Sequence, residues 1–425
     1  MTPISIVGRA DWLMAPGLQK LLAALSNGGE EARVAGGAVR NALLGEAAGD
    51  IDVATTTVPD ETIARARKAG FKTVPTGYEH GTVTVIADGV AYEVTTLRAD
   101  IETDGRRAKV SFGRDWKADA ERRDFTMNAL YAYASGEVVD LVGGVADIES
   151  RTLRFIGDPE ARIREDFLRI LRFFRFFAFY GSGRPDAEGL KACARLKEGV
   201  DGLSAERVWA ETKKLLAARD PSRALLWMRQ SGVLTRVVPE SEKWGIDAVH
   251  GLVAAERDLG WPADALMRLA AIIPPDAARV GALAQRLKLS NAERDRLVAW
   301  AATPALKPTM NESELARMAY RAGREGFDDR LRLSLASARA RAQADDQALV
   351  EAGGWYRLKN FLDGWQAPRF PLTGADLITL GVPAGPKMGN LLRDLEEMWV
   401  DGDFAMNRDA LLAKAKGLKA LYVGA

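Results

Sequence analysis

Between residues 32 and 53 the chain carries a pattern that few folds satisfy. A short stretch, Arg33-Val34-Ala35, runs into Gly36-Gly37, a helical run from Ala38 to Leu44, Gly45, and then Gly49-Asp50-Ile51-Asp52-Val53. This reads as strand, glycine turn, helix, strand. Two glycines between a strand and a helix let backbone approach a ligand closely, and the helix N-terminus beyond offers free N–H groups to an anion. Asp50 and Asp52, each followed by a β-branched apolar residue, place two charges on one face of a strand while Ile51 and Val53 enter the core. Aspartate is poor in strands and neighbouring like charges repel. The pair is therefore either a strand end or a platform for divalent cations, whose hard charge takes oxygen ligands and offsets the repulsion. At this spacing from Gly36-Gly37 the second reading assembles a phosphate cradle beside a metal platform.

A helix from Pro59 to Ala69 follows, then two alternating strands, Thr82 to Ile86 and Ala91 to Thr95, joined by the hairpin signal Asp88-Gly89. Glu93 falls on a strand expected beside the acidic pair, and is either a third carboxylate of the site or an ordinary exposed strand residue. Residues 100–117, with Gly105, Arg106, Arg107 and Gly113, show little periodicity and are expected to form a mobile basic loop near the site. The stretch Asp119 to Ala129 is dense in arginine, aspartate and asparagine just before an apolar segment. Arg122 offers a planar fork for phosphate or ribose oxygens, and Asn128 a hydrogen bond to sugar hydroxyls; the alternative is a solvated turn with internal ion pairs. A second hairpin, Leu130 to Asp140 about Ser135-Gly136, closes the mixed region.

From about residue 158 onward the pattern is helical. Arg162, Asp166, Arg169 and Arg172 or Phe173 share one face of a helix spanning Ala161 to Arg175. Such a face is usually ion-paired and amphipathic, yet Asp166 with Arg169 also makes an acceptor-plus-donor edge. Cytosine and adenine each present an amine beside a ring acceptor and match it. Guanine and uracil present the opposite polarity and would leave buried groups unpaired, at about 1–3 kcal/mol each. Further on, Ser204 is a candidate N-cap, Thr303 to Pro308 marks a linker, and the arginines from Arg317 to Arg341 form either a solvated face or a phosphate-contacting surface.

Length and composition set the outer limits. A chain of 425 residues is too long for one ordinary core. Lys+Arg at 59 against Asp+Glu at 58 leaves a net charge of +1, so any basic surface is local. One cysteine, Cys193, excludes an internal disulfide, and two histidines exclude zinc sites of the Cys/His type. Residues 1–14 lack the pattern of a secretion signal, and no apolar run approaches the ~18 residues that span a bilayer. A reducing cytoplasm is the expected location, with no membrane association.

Four motifs occur in one order: Gly36-Gly37-Ala38-Val39-Arg40, Asp50-Ile51-Asp52, Arg122-Arg123-Asp124-Phe125-Thr126-Met127-Asn128-Ala129, and Glu165-Asp166 followed by Arg169 and Arg172. In that order they resemble the class II tRNA nucleotidyltransferases, the CCA-adding enzymes, and their relatives the bacterial poly(A) polymerases. The resemblance implies an α/β nucleotidyltransferase head with a mixed sheet, followed by all-α neck, body and tail in a seahorse-like molecule. Its expected boundaries are a leader helix at 1–30, the catalytic head at 31–152, the neck at 153–220, the body at 221–350 and a tRNA-binding tail at 351–425.

The same resemblance implies residue roles. Asp50 and Asp52 would hold two magnesium ions, with Glu93 the tentative third catalytic carboxylate. Gly36, Gly37 and Arg40 would serve the triphosphate; Arg122, Asp124 and Asn128 the ribose and phosphates; Asp166 and Arg169 the incoming base; and Arg172 is a further nucleotide-binding residue. Glu206 and Arg207 look like the later neck motif that supports the base-reading helix. The implied partners are tRNA, bound by its acceptor end and elbow, with CTP and ATP as substrates and no obligate protein partner. The implied reaction is addition of C, C and A to the tRNA 3′ end. Poly(A), CC-only or A-only synthesis on the same core stays open, as does a silent RNA-binding protein. One departure stands out: the family commonly has Asp after Val-Arg, and this chain has Asn41.

Overall fold

The computed structural model describes residues 3–104, 107–242, 245 and 247–423, and the chain divides into two compact units, Met1–Glu242 and Lys243–Ala425. The first is organised around a mixed sheet of seven strands: β1 (Ala32–Ala35), β2 (Asp52–Thr55), β3 (Lys72–Gly77), β4 (Thr82–Ala87), β5 (Val90–Thr96), β8 (Leu130–Ala132) and β9 (Val138–Asp140), ordered β3-β4-β5-β2-β1-β8-β9. Among the described strands only β2 and β5 run parallel, and their register sets Asp52 beside Glu93. The β4–β5 turn uses Asp88 and Gly89, both at positive φ, as the twist of a tight hairpin demands.

Two expectations for the strands change. Residues 100–117 are not a loop: β6 (Arg98–Asp104) and β7 (Arg107–Phe112) pair as a two-stranded ribbon, with Gly105 and Arg106 outside the described residues. Backbone hydrogen bonds hold such a ribbon without the apolar alternation by which strands are recognised. Asp50 also lies just outside β2, so the acidic pair straddles a strand end, with Val53 buried behind it and Ile51 half-buried.

The α-helices of this unit are α1 (Pro16–Leu25), α2 (Gly37–Leu44), α3 (Pro59–Lys68), α4 (Trp116–Glu121), α5 (Gly144–Glu149), α6 (Pro159–Glu165), α7 (Leu168–Tyr180), α8 (Ala187–Arg195), α9 (Ala205–Leu216), α10 (Ser222–Gln230) and α11 (Val233–Val237). The single helix expected from Ala161 to Arg175 is broken, because Asp166 takes an extended conformation between α6 and α7. Its side chain accepts the Leu168 N–H at 3.0 Å and so starts the second helix. Helix α7 is fastened by aromatic packing: Phe173 stacks on Phe155 at 5.4 Å, and Phe155 meets Phe125 at 4.9 Å. This cluster fixes which face of α7 remains for chemistry.

The second unit is helical throughout its described residues. Leu315, Phe327, Leu331, Leu335, Leu358 and Leu362 form one core cluster; Leu377, Leu391, Leu395, Trp399 and Leu411 form another. No helix among the described residues is long and apolar enough to cross a membrane. Arg268 and Glu256, nearly inaccessible, pair at 2.7 Å. The helix Asn291–Ala302 begins with a capping box, in which the Ser290 side chain and Glu293 satisfy each other's backbone N–H groups. Ser290→Ala is expected to cost about 1 kcal/mol, read as a lowered urea midpoint at unchanged slope.

Most arginines between 317 and 341 find carboxylates, most of them distant in sequence. Arg321 pairs with Glu397 and Asp401, Arg324 with Asp363, Arg332 with Asp328, Arg339 with Asp258, Arg341 with Glu351, and Arg317 with Asp403. Ion pairing thus occupies these six arginines.

Candidate active site

All twelve residues singled out for catalysis or nucleotide binding line one cleft of about 950 Å³ in the first unit: Gly36, Gly37, Arg40, Asp50, Asp52, Glu93, Arg122, Asp124, Asn128, Asp166, Arg169 and Arg172. The cleft also takes in Arg98, Arg123, Arg175, Phe176, Tyr180, Arg207 and Lys214. Glu206, paired with Arg207 in the motif, does not line it.

At one end lie the carboxylates. Asp52 opens to the cleft, and Glu93 stands beside it across the parallel strand pair. Burial, then the Glu93 charge, push the Asp52 carboxyl up to about 6, with Asp50 adding to the rise and Arg123 opposing it. Negative charge here therefore exceeds what the protein compensates. Hard oxygen donors with unbalanced charge suit a cation of the magnesium class. As the side chains stand, no group of three or more acidic, His or Cys residues among the described residues is gathered tightly enough to hold an ion. The donor chemistry fits, while the ligand geometry is not preformed.

Gly36, at φ 68°, turns the chain from β1 into α2, and a Cβ there would crowd the Arg123 guanidinium at 3.2 Å. One turn into α2, Arg40 is buried and held by neutral groups: Asn41 Oδ1 at 2.8 Å, the Tyr180 hydroxyl at 2.7 Å, and Asn128 Oδ1. Asn41 thus supplies the acceptor its position calls for without neutralising the charge. Burial lowers the Arg40 pKa, yet a guanidinium stays protonated.

The arginine-rich stretch is clamped from below. Asp119 is buried and binds Arg122 at 2.6 Å, Arg123 at 3.2 Å and the Tyr131 hydroxyl at 2.7 Å. Burial raises its carboxyl, but the two arginines and the hydroxyl outweigh that and hold it below the usual range. Asp124 is buried likewise: Arg172 reaches it at 2.5 Å, Asn128 Nδ2 donates at 3.1 Å, and the Phe125 N–H at 2.9 Å. Asn128 therefore spends its carbonyl on Arg40 and one amide hydrogen on Asp124, so it organises the cleft wall as well as lining it.

At the far end, Asp166 and Arg169 do not pair with each other. Arg207 of α9 donates to Asp166 Oδ2 at 2.6 Å, and Arg169 binds Glu165 at 2.5 Å and the Arg162 carbonyl at 2.9 Å. Each is oriented by a third group, and both face the cleft. Phe176 and Tyr180 follow Arg169 at seven and eleven residues along α7, so helical spacing alone would have found them. No such signal pointed to Arg98 or Lys214.

The chain is similar in sequence and fold to known proteins. Residues 32–154 match the family model described as the poly A polymerase head domain, and residues 184–244 the probable RNA and SrmB-binding site of polymerase A. The mitochondrial CCA tRNA nucleotidyltransferase 1 of Danio rerio is 33% identical over 90% of this chain and 86% of its own. The CCA-adding enzyme of Levilactobacillus brevis is 31% identical over 92% and 95%. Among solved structures, the Bacillus stearothermophilus CCA-adding enzyme in complex with CTP superimposes with a TM-score of 0.71 at 27% identity, covering 94% of this chain and 96% of that one.

Proposed function

Because the chain belongs to the CCA tRNA nucleotidyltransferase (CCA-adding enzyme) family, we propose that it adds C, C and then A to the 3′ end of tRNA from CTP and ATP, releasing pyrophosphate. One observation carries the reading: carboxylates, glycine turn, arginines and the Asp166/Arg169 pair converge on one cleft although they span more than 130 residues of sequence. Relatives matching both units under the CCA-adding name favour complete CCA addition over poly(A) or partial synthesis.

In this reading Asp50 and Asp52, with Glu93 third, hold two magnesium ions, which when bound lower the pKa of the attacking 3′ hydroxyl and neutralise the leaving phosphates. Arg40, which forms no ion pair with a carboxylate among the described residues, and Arg122 attract the triphosphate and stabilise charge as it moves onto pyrophosphate. Gly36 and the start of α2 let phosphate oxygens approach backbone N–H groups. Asp166 accepts the amine of cytosine or adenine while Arg169 donates to the ring acceptor. Arg207 supports the reading by fixing the Asp166 carboxylate. A reducing compartment such as the cytoplasm suits the buried, unpaired Cys193.

The test is single-nucleotide-resolution extension of tRNA transcripts ending before CCA, after C and after CC, with CTP or ATP and magnesium. Complete, ordered extension of all three supports the reading; A-tailing beyond CCA, extension of one substrate only, or none sinks it. Asp166→Ala is expected to slow C and A addition and to raise misincorporation of G or U relative to C roughly 10–100-fold, corresponding to about 1–3 kcal/mol per lost polar match. Unchanged selectivity would remove Asp166 from base reading.

A further inference from the structure

The second unit contains a cavity of about 390 Å³ that the proposed reaction does not use, within the ~300–1,000 Å³ typical of small-molecule sites. One wall is the helix Arg324–Arg341, which presents Arg330, Ser334, Ser337 and Arg341 at spacings of four, three and four residues, a single helical face. Trp300 and Trp355 contribute aromatic surface, and alanines and prolines fill most of the remainder.

Arg330 is the exception among the seven arginines of that stretch. The other six have carboxylate partners; Arg330 has none among the described residues. Its Nη2 donates to the Thr303 carbonyl at 2.9 Å, its guanidinium lies 5.7 Å from the Trp300 ring, and its Nε is buried without an acceptor. The Trp300 indole N–H is likewise buried without a partner. Arg341, the other cation lining the cavity, is neutralised by Glu351 at 2.7 Å. Among the described residues the cavity therefore carries one uncompensated positive charge set among apolar and aromatic surface. Holding a half-buried guanidinium without a counter-charge is costly, and burial draws its pKa down. A planar fork beside an indole suits an oxyanion carried on a flat ring.

We propose that this cavity binds a small aromatic molecule bearing a single oxyanion, carboxylate or phosphate, with Arg330 receiving the charge, Trp300 and Trp355 the ring, and Ser334 and Ser337 the outer oxygens. The site lies wholly within Lys243–Ala425 and is chemically separate from the triphosphate cleft.

Calorimetric titration of the full chain tests it with 2-naphthoate, 2-naphthyl phosphate, the neutral 2-naphthamide and inorganic phosphate. Saturable one-to-one binding of either anionic ring, with Kd below ~1 mM, and at least tenfold weaker binding of both the amide and inorganic phosphate support the proposal. The carboxylate and phosphate arms distinguish the two oxyanions. Arg330→Met should abolish the binding, leave the melting temperature no lower, and leave tRNA extension unchanged. If Arg330→Met fails to fold, the shift of the Trp300 indole N–H resonance on titration, assigned through Trp300→Phe, reports the same contact in the unaltered protein. Equal affinity for the amide, equal affinity for inorganic phosphate, binding retained in Arg330→Met, an unmoved Trp300 resonance, or no saturable binding of either anion would each overturn it. Because extension is measured separately, failure here is distinguishable from failure of the nucleotidyltransferase reading.

Discussion

Replacing Asp52 with alanine is expected to cut nucleotide incorporation by at least ~10³-fold while tRNA affinity stays within about threefold, a transition-state loss of about 4 kcal/mol. The argument rests on charge. Asp52 sits beside Glu93 in register and two residues from Asp50, and its carboxyl is raised to about 6 because burial and these neighbours disfavour its ionised form. A cluster that repels itself is unfavourable to the resting fold, and in the proposed function a bound cation would offset that repulsion. Alanine should therefore leave the melting temperature unchanged or higher, whereas a merely structural aspartate would lower it. Asp52→Asn, which keeps the shape and removes the charge, should be as inactive as Asp52→Ala. Incorporation within tenfold of normal in either variant, or a loss matched by a collapse in melting temperature, would remove Asp52 from catalysis.

The features legible in the sequence are those encoded over short spacings. Strand, glycine turn, helix and acidic pair follow within about twenty residues, and Asp88-Gly89 marks its hairpin because both positions must take positive φ. Contacts made across long separations were not legible. Asp119 reads as one more charge in a polar helix turn, yet it is the buried anchor of Arg122 and Arg123, and Tyr131, twelve residues on, completes it. The break at Asp166 was hidden because aspartate fits a helical repeat; what draws it out is its bond to the Leu168 N–H and an Arg207 partner 41 residues away. Arg33 reads as an ordinary charged strand residue, but it is buried with its guanidinium 3.9 Å from the Trp116 ring and 4.5 Å from Tyr133. Ribbon β6–β7 escaped notice for the opposite reason, since its pairing requires no apolar pattern. The candidate residues that converge on the cleft were legible because phosphate, metal and base would each demand particular groups; the residues that orient them answer only to the folded geometry.

Asp124→Ala is expected to destabilise the first unit by about 3–5 kcal/mol, the usual cost of removing one partner from a buried ion pair. Asp124 is the hub through which the cleft wall is assembled. It receives Arg172 from α7, the Asn128 amide and the Phe125 N–H, and Asn128 in turn holds Arg40. Without the carboxylate, a guanidinium, an amide and a backbone donor lose their acceptor together, and Arg172 and Arg40 lose the geometry in which they line the cleft. Extension activity measured well below the variant's melting temperature should therefore also fall. Acid should expose the same linkage. Burial works against the Asp124 carboxylate, but Arg172 and Asn128 outweigh it and hold its pKa below the ordinary carboxylate value of about 3.9. The stabilisation from a depressed carboxylate is complete above the unfolded-state pKa and is lost as pH falls through the folded one. The stability gap between the unmodified protein and Asp124→Asn should thus be constant from pH 8 to about pH 5 and shrink toward pH 3. A gap that widened on acidification, or an Asp124→Ala protein as stable as the unmodified chain, would show that Arg172 and Asn128 are held by something other than this carboxylate.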